Sequence, residues 1–483
     1  MNWSDLRLFL SFTWTVPNLS PIRSYRHTKT DASRFRVGPP PGNPTLPPSH
    51  AGLIPIPGAE EGNALFFWLF EAENRENDGN FIGKPLALRK LLRFFKGGPG
   101  CSSVIGALSE SGPLTFVGNA SMPTANPYSW TKFGSVLYID QPVGTGFSTL
   151  NSSKPISKNE QDTSDLYAWL GEFYREFPHL LEKKTHLVGE SYAGIFVPYF
   201  ASEIVKHRDS LPINLKSISV GNGILGNNAV MADVAVGAYL ETNAPILDIL
   251  RDVIHAFSSA DHICEFDTVL NEPNEYPPPG PISVPGNPEN LNFRRDELCR
   301  TPSDSDAGPM AEYVQTSLHT PQSDTGKSSK KRNKPYPFQG CNSEIMQALL
   351  GPANHPTPPA YFIIPDLIST HNISTHIYHG KLDMLINHIA VELVLQNMTW
   401  NRRQGFQQRP TASFGVRKGG SRAGSTAQPG NDGTNISTGG IWTAERGLTY
   451  HLFNDAGHVV PFDQPEEMFC IDNRGLGKCF PSY

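Results

Sequence analysis

The 483-residue chain has no uninterrupted apolar run near the roughly 18 residues that a membrane-spanning helix needs, so no such span is expected. An excess of positive charge is also missing. Forty Lys and Arg against 46 Asp and Glu leave a formal charge of −6, and nothing points to a nucleic-acid surface. Cysteine is scarce. The six residues Cys101, Cys264, Cys299, Cys341, Cys470 and Cys479 form no Cys-x-x-Cys pair, which argues against a zinc site. An even, scattered set fits disulfides if the chain is exported, and buried thiols otherwise. Internal repeats are absent. What is plentiful is glycine and proline, 43 of each, which implies many loops around a core that 38% hydrophobic residues can fill.

The chain divides unevenly. Residues 1–50 read as a poorly ordered arm, rich in Pro, Ser, Arg and Gly after residue 17. Within it Leu8–Trp14 is a short apolar stretch of the kind found in export signals, although Asp5 stands where positive charge is expected. From 51 to 230 apolar strand-like runs alternate with helical periodicity. Leu65–Phe70, Val136–Asp140, Thr185–Gly189 and Ile218–Gly223 read as strands, and Asp162–Phe177 as an amphipathic helix. That alternation predicts an α/β fold with a mostly parallel sheet flanked by helices. Residues 231–350 lose the pattern and read as an inserted lid. Strand signals return at Thr375–Gly380 and Leu448–Phe453, within a second core part spanning 351–483 that contains a low-complexity loop at 410–438.

Gly189-Glu190-Ser191-Tyr192-Ala193 carries the chemistry. A serine between small residues, after an apolar strand and before a helical run, is the nucleophile elbow of an α/β hydrolase. Such a fold needs an acid and then a histidine at later strand ends. Asp383 follows the strand at Thr375, and His458 follows the strand at Leu448, in the order Ser, Asp, His. Ser191 would attack, His458 would take and return its proton, and Asp383 would fix the imidazole tautomer.

Further motifs surround these three: Gly97-Gly98-Pro99-Gly100-Cys101-Ser102-Ser103, Asn126-Pro127-Tyr128-Ser129-Trp130, Asp140 to Ser148, Gly221-Asn222-Gly223 and Ala456 to Pro461. With them the chain resembles the serine carboxypeptidases over most of residues 51–230 and 340–475, and is most similar to the fungal members. The resemblance implies removal of C-terminal residues from peptides at acidic pH, in a vacuole, a lysosome or outside the cell, with no metal or organic cofactor. It assigns the oxyanion hole to the backbone N–H groups of Gly98 and Tyr192. Glu110 and Glu190, with Gly97 and the residue before it, would bind the substrate's C-terminal carboxylate. It also implies the disulfides Cys101–Cys341, Cys264–Cys299 and Cys470–Cys479. An acyltransferase or esterase on the same triad, or a binding protein that has lost catalysis, are the alternatives, since fold and triad do not fix a substrate.

Two departures stand out. Lys96 occupies the place of the family's carboxylate-binding asparagine. Residues 79–95, with Lys84, Arg89, Lys90 and Arg93 crowded together, are not expected to form a central strand, which should be nearly all apolar. Asn-x-Ser/Thr sequons begin at Asn2, Asn18, Asn119, Asn151, Asn372, Asn397 and Asn435, and suit an exported protein glycosylated at Asn119, Asn151, Asn372 and Asn397. Lys330-Lys331-Arg332 is a basic triplet that could be cut within the lid, or simply be solvated.

Overall fold

A computed structural model describes residues 32–38, 46–73, 90–116, 123–151, 156, 158–227, 230–247, 249–271, 275–282, 340–351, 354, 356–415 and 439–472. Its centre is an eleven-stranded sheet. In chain order the strands are β1 (Arg36–Val37), β2 (Ser49–Pro55), β3 (Ala64–Phe70), β4 (Lys90–Phe95), β5 (Ser135–Asp140), β6 (Lys184–Glu190), β7 (Leu215–Gly221), β8 (Ser374–Gly380), β9 (Ala412–Phe414), β10 (Gly440–Glu445) and β11 (Leu448–Phe453). In space they run β1-β2-β3-β5-β4-β6-β7-β8-β11-β10-β9. The six from β5 to β11 are parallel. Antiparallel strands close both edges. This is the expected α/β-hydrolase architecture.

Period-two alternation splits the core between the two faces of the sheet. Leu91, Phe95, Leu137, Ile139, Leu187, Ile218 and Val220 face a core shared with two helices, α2 (Asn159–Glu176) and α3 (Ala193–Lys206). Helix α2 is amphipathic and buries Leu166, Trp169, Leu170 and Phe173. Helix α3 is apolar along most of its length and buries ten of its residues. The opposite face carries Leu92, Phe94, Val136, Tyr138, Val188, Tyr378 and Phe453. Near its site end lies α1 (Ser103–Ser109), started by Ser102, whose hydroxyl caps the Val104 N–H.

Three expectations change. Lys90–Phe95 is a central strand, parallel to both β5 and β6. Leu91, Leu92, Phe94 and Phe95 supply the apolar burial the position demands, and Lys90 sits half-buried at the strand's start. Arg93 is the exception. It is fully buried, its guanidinium stacked 5.3 Å above the Tyr174 ring centroid. Second, the sheet begins inside the expected N-terminal arm: Arg36 pairs with His50, Val37 with Ser49, and Phe35 is buried. Third, Ala412–Phe414, inside the expected low-complexity loop, pairs with β10.

After β7 come α4 (Val236–Leu247), α5 (Arg251–Ile263) and α6 (Phe266–Asn271). The chain returns to the core through α7 (Ser343–Leu350). The 330–332 triplet and residues 416–438 lie outside the described residues. No helix among the described residues is long and apolar enough to cross a membrane.

Candidate active site

The elbow forms where β6 ends. Ser191 has φ 64, the left-handed region that a non-glycine residue rarely occupies. The turn is held from β7, because the Ser191 N–H donates to the Gly221 carbonyl and the Ile224 N–H to the Ser191 carbonyl, 3.0 and 3.1 Å. The small flanking residues have a direct cause. A Cβ on Gly189 would lie 2.6 Å from the Ala193 Cβ and 2.7 Å from Val197 Cγ2, so strand and helix close only around glycine.

Asp383 and His458 emerge from the ends of β8 and β11, which pair Gly380 with Phe453. Their loops are joined as well, since the Leu382 N–H donates to the Ala456 carbonyl, 2.9 Å. His458 Nδ1 lies 2.8 Å from Asp383 Oδ2. Asp383 Oδ1 accepts the N–H groups of Leu385 and Ile386, at 2.9 and 3.2 Å. Burial works against the Asp383 charge, yet the His458 imidazole, with His379 and the Asn222 amide adding to it, holds its carboxyl below the usual range. Burial likewise opposes the imidazolium of His458, but Asp383, with Glu190 adding to it, raises the His458 pKa. The Ser191 hydroxyl makes no hydrogen bond among the described residues. The Asp383–His458 half of the expected triad is therefore bonded, and the Ser191–His458 half is not.

Facing the elbow is the loop Gly97–Ser103. A Cβ on Gly97 would fall 2.4 Å from the Tyr192 nitrogen and 2.5 Å from the Glu190 carbonyl, so this loop rests directly on the elbow backbone. Gly98 has φ 118. The N–H groups of Gly98 and Tyr192 have no hydrogen-bond partner among the described residues, and Tyr192 stands at the start of α3, where free N–H groups collect. Asp140 braces the loop by accepting Ser102 Oγ at 2.7 Å and the Ser103 N–H at 2.8 Å. Burial nevertheless pushes its carboxyl up to about 6. The Cys101–Cys341 disulfide ties the loop to the segment leading into α7. The far end of α7 and the residue Asn354 beyond it anchor the Tyr192 side chain, whose hydroxyl accepts from Asn354 Nδ2 (3.0 Å) and donates to the Leu349 carbonyl (3.3 Å).

Beside the elbow, Lys96 sits between the two expected carboxylates. Its Nζ donates to Glu110 Oε1 at 2.7 Å and also to Glu190 Oε1. Burial alone would lower the Lys96 pKa, but the two carboxylates hold it above its ordinary value. Burial, reinforced by Glu110, pushes Glu190 up to about 8, despite the opposing pull of Lys96 and His458. The cluster sets two carboxyls against one ammonium, and the upward displacement of Glu190 favours keeping a proton on it. Asn126 fixes the turn that carries Glu110, donating to the Glu110 and Gly112 carbonyls at 3.0 and 2.9 Å.

Other expectations are distributed as follows. Cys264 is disulfide-bonded. Its expected partner Cys299, and Cys479 for Cys470, lie outside the described residues, as do Asn2, Asn18, Asn119 and Asn435. Asn151 and Asn372 are exposed. Asn397 is half-buried, its amide accepting the Ile282 N–H and donating to the Ile282 carbonyl, both at 2.9 Å. No group of three or more His, Cys, Asp or Glu among the described residues is placed to hold a metal.

Sequence reasoning missed Asn222. With φ 46 and fully buried, it donates to Asp383 Oδ2 at 2.7 Å and to the Gly457 carbonyl at 3.2 Å. The Gly221-Asn222-Gly223 motif was the available signal, since asparagine tolerates the left-handed turn that glycine neighbours permit.

Comparisons with known proteins give the family. A family model described as serine carboxypeptidase matches residues 41–265 and 282–477. A carboxypeptidase Y homolog of Arthroderma benhamiae is 39% identical over 493 residues, covering 90% of this chain and 92% of its own. A pheromone-processing carboxypeptidase KEX1 of Metarhizium acridum is 27% identical, covering 94% of this chain and 70% of its own. The crystal structure of KEX1(delta)p, a prohormone-processing carboxypeptidase from Saccharomyces cerevisiae, shares the fold with a TM-score of 0.63 at 23% identity, over 92% of this chain and 95% of that one. A family match across both parts of the core, together with a relative this similar over nearly the whole length, means that this chain belongs to the serine carboxypeptidase family.

Proposed function

We propose that the protein releases C-terminal residues from peptides by acyl transfer to Ser191. His458 takes the Ser191 proton as the hydroxyl oxygen bonds to the scissile carbonyl carbon. The resulting oxyanion is received by the Gly98 and Tyr192 N–H groups, each such donor being worth on the order of 10²–10³ in rate. Collapse breaks the C–N bond, with the proton returned by His458 to the leaving amine. Water then reverses the sequence and frees Ser191. Asp383 holds the His458 tautomer and offsets its positive charge. Glu110, Glu190 and Lys96, with Gly97 beneath them, form the site for the substrate's free carboxylate. A proton retained on the glutamate pair in acid favours binding that anion, and its loss opposes it.

The observation that carries this reading is the placement of a buried Lys96–Glu110–Glu190 cluster beside the bonded Asp383–His458 pair: a carboxylate site next to an acyl-transfer site. An esterase or acyltransferase has no need of the first. The Cys101–Cys341 disulfide supports passage through an oxidising secretory compartment.

Digestion of free-acid peptides from about pH 4, where a proton-sharing carboxyl pair is still protonated, up through neutrality, where more of His458 is unprotonated, followed by mass spectrometry, tests the function. Stepwise C-terminal loss is expected, with fluorophosphonate labelling abolished in Ser191→Ala. Glu110→Ala should raise KM for free acids far more than for C-terminally amidated peptides. Equal effects on both would overturn the carboxylate site.

A further inference from the structure

The charge count of the Lys96 cluster leads beyond that reading, although it rests on it. Glu110 and Glu190 are essentially inaccessible, with side chains 1% and 0% exposed, while Lys96 is 11% exposed. Lys96 is therefore the most exposed side chain of the three. Of its three N–H bonds, one goes to Glu110 and one to Glu190, which leaves the third without a partner among the described residues. That third N–H is the donor the cluster has left for an incoming carboxylate. Lys96 stands at the end of β4, and its backbone N–H is held by Ser103 Oγ at 3.0 Å, so the side chain is rooted in both the central sheet and the oxyanion loop.

We propose that Lys96 is the group that ion-pairs with the substrate's C-terminal carboxylate, and that its charge keeps the cluster from turning negative at neutral pH, extending cleavage of free-acid peptides upward from the acidic range. With an uncharged residue at position 96, the cluster becomes net negative when the first carboxyl ionises. With Lys96 it is then neutral, and turns negative only when the second proton leaves. That second proton is held on the pair by burial and by the field of Glu110, as the upward displacement of Glu190 reflects. Other titratable groups face the cluster from neighbouring elements. His458 comes from the loop after β11, Tyr138 from β5 and Asp463 from the turn beyond His458. His458, held above its ordinary 6.5 by Asp383, is also the proposed base, so any test must separate its ionisation from that of the cluster.

The separation comes from comparing each free-acid peptide with its own C-terminal amide, since both need His458 and only the acid needs the cluster. The ratio of kcat/KM, acid over amide, is measured from pH 4 to 9 for the natural protein, Lys96→Asn, Lys96→Met and Lys96→Arg. Fluorophosphonate labelling of Ser191 reports whether each variant keeps its site. The natural protein should hold a high ratio through pH 7. In Lys96→Asn and Lys96→Met the ratio should fall at least tenfold between pH 5 and pH 7, chiefly through KM, and Lys96→Arg should restore most of it. Identical profiles in the natural protein and Lys96→Asn would overturn the proposal while leaving the carboxypeptidase reading intact. So would a rise in the ratio at every pH on removing the lysine, which would make Lys96 an obstruction. If the natural protein releases no C-terminal residue at any pH, the functional reading itself falls, and this proposal with it.

Discussion

The side-chain amide of Asn222 donates a 2.7 Å hydrogen bond to Asp383 Oδ2, the same oxygen that lies 2.8 Å from His458 Nδ1. One carboxylate oxygen is thus gripped from two sides, and the imidazole can swing only if Asp383 does. Hydrogen bonds to a charged group contribute about 1.5–3 kcal/mol, or roughly 10- to 100-fold in rate. Asn222→Ala should therefore lower kcat by roughly that factor with KM little changed, because Asn222 touches no substrate. A purely structural role would instead show as a loss of labelled, folded protein with normal kcat per labelled site.

Gly97 supports the elbow by lacking a side chain. In Gly97→Ala the added methyl would fall 2.4 Å from the Tyr192 nitrogen, one of the two proposed oxyanion donors. The loop must retreat, and the rate should drop by on the order of 10²–10³, the effect of losing one such donor. Steady-state kinetics together with active-site titration checks this. Unchanged kcat per titrated site would place the oxyanion hole elsewhere.

Arg93 is fully buried, and no nitrogen of its guanidinium has a hydrogen-bond partner among the described residues. Burial pushes its pKa down to about 9. Replacing it with an apolar side chain of similar length should stabilise the fold. Arg93→Met is expected to gain about 1–4 kcal/mol, the range seen when buried ionic groups give way to packed apolar ones, measured as a rise in Tm. The sign of the pH dependence follows from linkage. Between about 9 and 12.5 the unfolded chain binds the proton that the folded chain has released, so the stability of the natural protein rises with pH there. The advantage of Arg93→Met should narrow over that window.

His458 must be unprotonated to accept the Ser191 proton. Asp383 raises its pKa above the ordinary 6.5, so the charged form persists to higher pH. For an ester or amidated substrate, which makes no demand on the carboxylate site, kcat/KM should climb from acid through neutrality with a midpoint above 6.5. In Asp383→Asn that midpoint should move down as overall activity falls. A pH–rate profile flat from 5 to 8 would remove His458 as the base.

The nucleophile elbow was legible because it is a local code. Gly189, Ser191 and Ala193 are set by a turn within five residues, and the close approach of strand and helix excludes anything larger. Leu448–Phe453 and Thr375–Gly380 were legible for a related reason, since apolar alternation bounded by glycine and charge marks a strand wherever it lies. The positions of Asp383 and His458 followed from strand order.

Strand β4 was misjudged because the rule that central strands are apolar is an average over burial. Four buried apolar neighbours and the Tyr174 ring carry a single arginine that sequence reasoning treats as disqualifying. Asn222 was visible only as part of a motif, because its partners Asp383 and Gly457 lie far along the chain and only the convergence of strand ends brings them together.

The sequence by itself therefore determined the fold, the elbow and the order of Ser191, Asp383 and His458 at successive strand ends, because those depend on local periodicity and on the direction in which strands are read. Only the tertiary structure decided where Lys96 sits. Its two partners stand 14 and 94 residues away, and neither spacing carries a signal. Packing β4 between β5 and β6 sets the ammonium between two buried carboxyls.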